Sequence, residues 1–325
     1  MHELIIENPS DSEQRIDKFL KKYLKNAPLW VLYKWIRTGK IKVNRKKVEQ
    51  TYRLASGDHI ELHLTDSELT ELRKVEEILP TPWENKLEIL FEDESFLAIN
   101  KTAWINVHPW DHKSNEASLI ELVHDMLWNQ YDSLSFRPSL VHRIDRDTSG
   151  IILIAKEKRA LEVLLYDLQK GNIEKTYHAI VVGKPAKPRD TLSLRLERRE
   201  EVKNEAKVIV SATGQEAITH YRTLRVNIHD KYSLMECQIE TGRTHQIRVH
   251  FEHIGIPILG DKAYGNRGEN SFAQKNYGIM RQLLHARSLI FLHPKTREPI
   301  HLIAPYPQDF EKMLYQSQQP PIRQE

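Results

Sequence analysis

The most informative stretch of this chain is Val141-His-Arg-Ile-Asp-Arg-Asp-Thr-Ser-Gly150, which runs directly into Ile151-Ile-Leu-Ile-Ala-Lys156. A continuous run of Ile and Leu is typical of a strand that is buried on both faces. The polar segment before it is therefore predicted to be a loop that a rigid scaffold holds in place. Within this loop Asp145 lies between Arg143 and Arg146, and we expect the arginines to keep its carboxylate ionised and oriented. A carboxylate held in this way can act as a nucleophile or as a general base.

Length and composition indicate two domains or more, since 325 residues with 40% hydrophobic content can bury a substantial core. No stretch approaches the roughly 18 consecutive apolar residues of a membrane span, and Met1–Pro9 lacks the features of a signal peptide. We therefore expect a cytoplasmic protein with no membrane partner. Cys237 is the single cysteine, which excludes an intramolecular disulfide and a cysteine cluster for zinc.

The positive charge is concentrated near the N-terminus. Between Gln14 and Val48 the chain has twelve Lys or Arg residues and one acid, Asp17, so this segment carries +11. Because the whole chain carries only +3, the remainder carries −8. A local basic patch on a folded unit is typical of a phosphate-binding surface, although the pattern also fits a solvated helix face.

The same segment has the pattern of a small module of helices and short strands. Apolar residues at positions 16, 19, 20, 23 and 24 lie on one face of a predicted helix. Pro28 suits the first turn of a second helix, which Gly39 is placed to end. Ile41–Val48 predicts two short strands about a turn at 44–45, and His59–Leu64 alternates as a further strand.

Two basic helices followed by Gly39-Lys-Ile-Lys-Val-Asn44 resemble the S-four RNA-binding domain, named for protein four of the small ribosomal subunit. The resemblance covers about residues 14–64 and implies that basic side chains of the helices and the adjoining turn contact RNA phosphates. One of them, Arg15, equally fits an internal ion pair with Asp17. The candidate RNA-binding residues of this module are Arg15, Lys18, Arg37, Lys40 and Lys42.

The segment Val141–Gly150 resembles the catalytic motif of the RluA-type RNA pseudouridine synthases. In that family the aspartate of the motif attacks a uridine so that its base is detached, turned and rejoined through carbon, which assigns catalysis to Asp145. Arg143 then lies where it can fill the space of an extruded nucleotide or hold a phosphate. Whether Asp145 acts covalently or as the base that starts an elimination is left open. The reaction has no redox, hydride or phosphoryl step, so we expect no cofactor.

A second block, Glu174-Lys-Thr-Tyr-His-Ala-Ile-Val-Val-Gly183, has the alternation of a strand. A tyrosine in a strand is most often a packed core residue. In the synthase family, however, a Lys-x-Tyr-x-Ala-x-Val-x-Gly pattern supplies an active-site tyrosine beneath the substrate base. The resemblance therefore assigns that role to Tyr177.

The third block is Thr241-Gly-Arg-Thr-His-Gln-Ile-Arg-Val-His250. Two arginines, an imidazole and an amide within six residues are suited to binding anions and base edges. The corresponding family segment supplies an arginine that pairs with the catalytic aspartate. We assign this role to Arg248, with Arg243 as the alternative, and we take Arg243 and His245 as candidate RNA contacts.

The two resemblances imply an α+β protein whose catalytic domain has a mixed, largely antiparallel sheet and is preceded by a small α/β RNA-binding domain. We expect an S-four-like domain at 1–70, a linker at 71–86, a pseudouridine synthase domain at 87–312 and a flexible tail at 313–325. One departure lies at Asn100-Lys-Thr-Ala-Trp104, where the family commonly has Asn-Lys-Pro-Ala-Gly. The geometry of this loop is therefore not predicted.

Other functions fit the sequence less well. The clustered histidines His245, His250 and His253 lack the spacing of a metalloprotease helix, so we expect no metal site. A glycosidase usually needs two carboxylates that flank the scissile bond. A catalytically silent RNA-binding protein is disfavoured because Asp145 is present. Large-subunit (23S) ribosomal RNA, free or in an assembly intermediate, is the expected substrate. The motif is most similar to the RluC branch, with RluD second, and transfer RNA is the alternative; a monomer is the simplest expectation.

Overall fold

The computed structural model of the chain describes residues 1–73, 87–109, 117–127, 133–200 and 206–315. Within these ranges the backbone forms a three-stranded sheet near the N-terminus and an eleven-stranded sheet in the rest of the chain. The three-stranded sheet shares one apolar cluster with the helices beside it, and four further clusters lie against the large sheet. An α+β protein with a large mixed sheet, as predicted, is confirmed.

The N-terminal module packs three helices against a small antiparallel sheet of order β1-β3-β2. The first two helices form where the apolar spacing predicts them, and the second ends at Gly39, which has a φ of 81°. Its elements are β1 (His2–Ile5), α1 (Ile16–Tyr23), α2 (Leu29–Thr38), β2 (Ile41–Val43), β3 (His59–Leu62) and α3 (Asp66–Arg73).

Two local features of this module differ from the sequence prediction. The second strand expected within 41–48 is reduced to a single bridge between Val43 and Lys46, because the chain turns through two residues of positive φ at 44–45. Helix α3 occupies the first residues of the predicted linker. Thr65 and Glu68 cap its first turn, and Leu69 and Leu72 pack against the module's core. The rest of the predicted linker, 74–86, lies outside the described residues.

The large sheet has the order β10-β9-β11-β12-β8-β13-β7-β5-β4, with β14 paired to β13 and β6 paired to β7. Among the described pairs, β13 with β7 is parallel and the others are antiparallel. Its strands are β4 (Glu88–Glu92), β5 (Phe96–Lys101), β6 (Ser139–Leu140), β7 (Ser149–Ala155), β8 (Glu174–Val182), β9 (Arg189–Glu200), β10 (Ala206–Val210), β11 (Gln215–Ile228), β12 (Tyr232–Ile239), β13 (Leu284–Leu292) and β14 (Pro299–Ile303). The helices are α4 (Leu119–Met126), α5 (Lys158–Gln169), α6 (Gln246–His253), α7 (Arg267–Tyr277) and α8 (Gln308–Tyr315).

Strand β7 is the buried strand that the Ile/Leu run predicts, and all seven of its residues are buried. It lies between β5 and β13, so both of its edges are paired. Gly150 has a φ of 114°, and a Cβ on it would lie 2.2 Å from the carbonyl oxygen of Ala286. Only glycine therefore allows β13 to approach the start of β7 this closely. The loop that carries Asp145 enters the sheet at this point.

A buried carboxylate joins the N-terminal module to the domain of the large sheet. Asp11 accepts hydrogen bonds from the hydroxyls of Ser133 (2.9 Å) and Ser135 (2.6 Å) and from the backbone N–H groups of Leu134 (2.7 Å) and Ser135 (2.8 Å). Leu134 also packs against the module's apolar cluster. Residues 133–136 lead into β6 and then into the Asp145 loop. The N-terminal module is therefore anchored to the segment of chain that directly precedes that loop.

The C-terminal residues 313–315, predicted as part of a flexible tail, form the last turn of α8. Met313 and Leu314 are buried in an apolar cluster, which holds the turn against the sheet domain. The remainder of the predicted tail, 316–325, lies outside the described residues. No helix in the described part of the chain is long and apolar enough to cross a membrane.

Candidate active site

The loop before β7, strand β8 and the N-terminal half of α6 surround a cavity of about 520 Å³. The three sequence blocks, which are separated by up to about a hundred residues, therefore meet at one place. The lining includes the predicted site residues Arg143, Asp145, Tyr177, Arg243, His245 and Arg248, together with neighbours such as Lys175, Gln246 and Leu284.

Asp145 is held by an arginine that reaches it from α6. The Nη1 of Arg248 donates to Oδ2 of Asp145 at 2.9 Å, and the Asp145 side chain retains 27% of its exposure, so one face of the carboxylate is open to the cavity. This is the pair that the family resemblance assigns to Arg248 rather than to Arg243. Arg243 instead donates from Nε to the carbonyl oxygen of Glu216, at the rim.

A second carboxylate locks Arg248 in place. Asp261, which is fully buried, accepts from Nε of Arg248 at 2.7 Å and from Nη2 at 3.0 Å. This bidentate pair fixes the plane of the guanidinium and leaves Nη1 directed at Asp145. Burial alone would lower the pKa of Arg248, but hydrogen bonds and charge interactions with the two carboxylates raise it, so Arg248 stays a cation.

His245 and Tyr264 complete the wall behind Asp145. Nε2 of His245 lies 3.9 Å from Oδ2 of Asp145, and its Nδ1 is 2.9 Å from the hydroxyl of Tyr264. Burial lowers the pKa of His245 more than the nearby Asp145 raises it, so the ring is neutral near pH 7. The ring of Tyr264 lies 5.0 Å from the Arg248 guanidinium carbon. These contacts position the side chains around the carboxylate without adding a second charge beside it.

Tyr177 lies on β8 and lines the cavity with its side chain largely buried. Burial raises the pKa of its phenol above the ordinary value, and the negative charge of Asp145 raises it further. The phenol is therefore protonated throughout the physiological pH range. Its position places an aromatic side chain in the cavity lining near the carboxylate.

The backbone of the Asp145 loop is held by two buried basic side chains, Lys101 and Arg281. Nζ of Lys101 donates to the carbonyl oxygens of Arg146 (2.8 Å), Thr102 (2.8 Å) and Ile105 (3.0 Å). Burial lowers the pKa of Lys101 to about 7, while its three acceptors match the three N–H bonds of the ammonium form. Arg281 donates to the carbonyl oxygen of Asp147 at 3.0 Å. The loop is thus restrained on both sides of its exposed face.

The arginines that flank Asp145 in sequence do not hold it, in contrast to the prediction. Arg143 is exposed at the mouth of the cavity, and Arg146 lies 3.8 Å from Asp147 and donates to the carbonyl oxygen of Trp104. Both side chains extend toward solvent, whereas Arg248 approaches through the protein interior. Arg143 is thereby free to meet a ligand at the mouth.

The candidate residues of the N-terminal module differ in how accessible they are. Arg15 forms a bidentate pair with buried Asp17, at 3.1 and 2.8 Å, so it has the internal role that the sequence left open. Lys40 pairs with Glu68 at 3.0 Å and lies over the ring of Trp35. Of the remaining candidates, Lys18 and Arg37 are exposed and Lys42 is half-buried.

Four residues that the sequence analysis did not single out contribute to the site or to the basic module. Asp261, Lys101 and Arg281 act through contacts distant in sequence, and Trp30 is 67% exposed on α2. The only signal for Asp261 is its place in a short polar turn after Ile256–Leu259, which does not reveal its partner. Within the described residues no group of His, Cys, Asp and Glu is arranged to hold a metal ion.

Comparison with known proteins agrees with this geometry. Residues 95–253 match the family model described as RNA pseudouridylate synthase. The chain is 35% identical over 313 residues to the ribosomal large subunit pseudouridine synthase C of Buchnera aphidicola (subspecies Schizaphis graminum), covering 96% of each chain. It is 33% identical over 313 residues to the protein of the same name from Vibrio vulnificus, covering 93% of this chain and 92% of that one.

The fold agrees as well. The solved structure of human RNA pseudouridylate synthase domain containing 4 superposes with a TM-score of 0.56 at 23% identity, covering 70% of this chain and 91% of the human one. With a family match that spans all three blocks and relatives aligned over nearly the whole length, the chain belongs to the RNA pseudouridine synthases, as the RluA-type resemblance predicts.

Proposed function

We propose that this protein converts specific uridines of large-subunit (23S) ribosomal RNA to pseudouridine, with Asp145 as the catalytic carboxylate. The observation that carries the proposal is the chain of contacts from Asp261 through Arg248 to Asp145, which presents one oriented carboxylate to a cavity beside Tyr177. The substrate class is supported by relatives that are named for the large ribosomal subunit and that align over nearly the whole chain.

The first step is extrusion of the target nucleotide. In folded RNA the reacting carbons of a uridine are covered by stacking, so the base leaves the stack at a cost of a few kcal/mol. The exposed Arg143 at the mouth of the cavity is placed to fill the vacated space or to hold a phosphate. A cavity of about 520 Å³ lies within the range typical of small-molecule sites.

The reaction exchanges one glycosidic bond for another. The bond between uracil N1 and ribose C1′ breaks, the base turns within the cavity, and a bond forms between uracil C5 and C1′. Asp145 either attacks the substrate covalently and is released when C1′ bonds to C5, or removes a ribose proton to start elimination and returns it as the new bond forms. The C5 proton then leaves, and N1 gains a proton, so the product is an isomer of the substrate.

Two side chains support these steps. Arg248 keeps Asp145 ionised and oriented before reaction, because its guanidinium is fixed by Asp261. Tyr177 supplies a flat surface against which the detached base turns, and its protonated phenol can relay a proton near C5. Every step is heterolytic and needs no redox cofactor.

The N-terminal residues 1–70 act, in this proposal, as an S-four-like RNA-binding domain. Trp30, Lys34 and Arg37 are exposed on α2 and recur at the i, i+4 and i+7 positions of one helix face. Lys18 is exposed on α1 of the same module. Cations interleaved with an aromatic ring suit an RNA strand, which offers phosphates and base faces.

Mapping of pseudouridine in RNA treated with the purified protein tests the proposal. Carbodiimide labels pseudouridine stably, and reverse transcription then stops one nucleotide before it. The expected result is new stops in a large-subunit ribosomal RNA transcript and none in transfer RNA. Stops confined to transfer RNA would contradict the substrate assignment, and the absence of stops in both would leave a protein that only binds RNA.

A further inference from the structure

Trp104 has an unusual backbone conformation beside the Asp145 loop. Its φ is 75°, in the left-handed region that a bulky residue rarely adopts. The position is the last of Asn100-Lys-Thr-Ala-Trp104, where the synthase pattern commonly has glycine. A tryptophan at a position whose geometry favours glycine costs folding free energy. Such strained residues cluster at functional sites, so the side chain is a candidate for a functional role.

The backbone of Trp104 is tied directly to the catalytic loop. Its N–H donates to the carbonyl oxygen of Arg146 at 2.9 Å, and Nε of Arg146 donates to the carbonyl oxygen of Trp104 at 3.3 Å. The same Arg146 oxygen accepts from buried Lys101. The backbone of Trp104 is therefore tied to Arg146, the residue that follows Asp145.

The indole ring lies between two cations and remains accessible. Nζ of Lys262 is 5.3 Å from the ring centroid, and the guanidinium carbon of Arg146 is 5.9 Å from it. These residues directly follow Asp261 and Asp145, so the ring stands where the two loops of the active site meet. The side chain is 41% exposed, which leaves an open aromatic surface flanked by positive charge.

We propose that Trp104 is an RNA-binding residue whose indole stacks on a base adjacent to the extruded uridine, while Arg146 and Lys262 meet the neighbouring phosphates. The inference rests on the proposed function, since it requires RNA at this mouth. Extrusion of one nucleotide leaves its neighbours without a stacking partner, and an aromatic ring can replace it. Every base offers a π-face, so the contact supplies affinity and position rather than base identity.

The test compares Trp104→Gly with Trp104→Phe in the full-length protein. Removal of a base–aromatic stack lowers affinity by roughly fivefold to 150-fold, so Trp104→Gly is expected to weaken binding of a large-subunit ribosomal RNA transcript about tenfold. Trp104→Phe keeps a ring and is expected to stay within about threefold of wild type. KM should rise with the loss of affinity, whereas kcat changes less than about threefold because the contact does not touch the reacting atoms.

Thermal stability separates this role from a structural one. Because glycine tolerates the φ of 75° and the lost indole is exposed, Trp104→Gly should melt within about 3 °C of wild type. Phe272→Ala is the matched control, since Phe272 is 40% exposed and has the Lys231 ammonium 4.3 Å from its ring, but lies on α7 away from the cavity lining. It should bind RNA like wild type.

Binding is measured by filter retention in an Asp145→Asn background, so that it does not depend on turnover. Failure of wild type to make pseudouridine would defeat the proposed function without changing this binding comparison. Unchanged affinity in Trp104→Gly, an equal loss in Phe272→Ala, or a melting point lowered as for a core tryptophan would each overturn the assignment of Trp104.

Discussion

Neutralising Asp261 by Asp261→Asn tests how the active-site cation is held. Asp261 accepts four hydrogen bonds: two from Arg248, at 2.7 and 3.0 Å, and two from the backbone N–H groups of Ala263 (2.9 Å) and Tyr264 (3.0 Å). An asparagine amide has one acceptor oxygen, and its NH₂ group would face a donor. The substitution therefore leaves at least one buried N–H of this network without an acceptor.

The expected cost follows from burial and charge. Removal of one partner of a buried ion pair costs about 3 to 5 kcal/mol. Arg248 retains Asp145 as a partner, so we expect the lower end, about 3 kcal/mol, or a fall of roughly 6 to 12 °C in the melting temperature. The guanidinium also loses its fixed plane. A displacement near 1 Å at a catalytic group lowers kcat by about 10²-fold.

The assay follows the hydrogen at C5 of uracil, which is lost to water as the new carbon–carbon bond forms. RNA labelled with tritium at C5 releases label in a single turnover, and the rate at saturating enzyme gives the rate constant of the chemical steps apart from RNA binding and product release. Glu236→Gln is the control, since Glu236 holds Arg222 in a similar bidentate pair. Glu236 pairs with His178 in register, and strand alternation places both on the face of the sheet opposite Tyr177. A wild-type rate in Asp261→Asn would refute the claim that Asp261 positions Arg248.

Three further predictions follow from the site and from the basic module. Tyr177→Phe should lower kcat about 10²-fold in the tritium assay with KM within about twofold, since the phenol is protonated and only its proton relay is lost. Burial lowers the pKa of His285 to about 3, whereas the unfolded value is about 6.5. Below pH 6.5 the unfolded chain therefore binds a proton at His285 that the native state does not. This lowers the free energy of unfolding by about 2 kcal/mol at pH 5. His285→Gln should therefore lessen the fall in melting temperature between pH 7 and pH 5. Arg37→Gln should reduce the slope of log Kd against log salt by about 0.7 to 0.9, whereas an unchanged slope would exclude Arg37 from phosphate contact.

Much of the fold was predictable because the signals are local. The 3.6-residue spacing of apolar residues from Ile16 gives α1, Gly39 ends α2, and the continuous Ile/Leu run gives β7. Helix α3 was missed because its helical face is short, and its stability comes from Leu69 and Leu72 packing on a core formed elsewhere in the chain. Burial of residues 313–315 likewise depends on a surface that local composition does not describe.

The candidate site was predictable in its motifs and not in its supporting contacts. Resemblance located Asp145 and Arg248, but local charge suggested the flanking arginines as the partners of Asp145, and the structure has Arg248 in that place. Asp261 could not be identified because a lone Asp in a turn does not show which cation it meets. Trp104 was noted as a departure from the family pattern, and its positive φ appears only in the folded backbone.

The most direct test of the central claim is the fate of uridine in RNA bound to Asp145→Asn. The substitution keeps the size of the partly exposed side chain and removes its negative charge. We predict that this variant binds a large-subunit ribosomal RNA transcript within a fewfold of wild type and produces no carbodiimide-dependent stops where wild type does. Stops at wild-type positions and rates in Asp145→Asn would contradict the assignment of Asp145, and equal loss of binding and of stops would show that Asp145 acts in RNA binding rather than in chemistry.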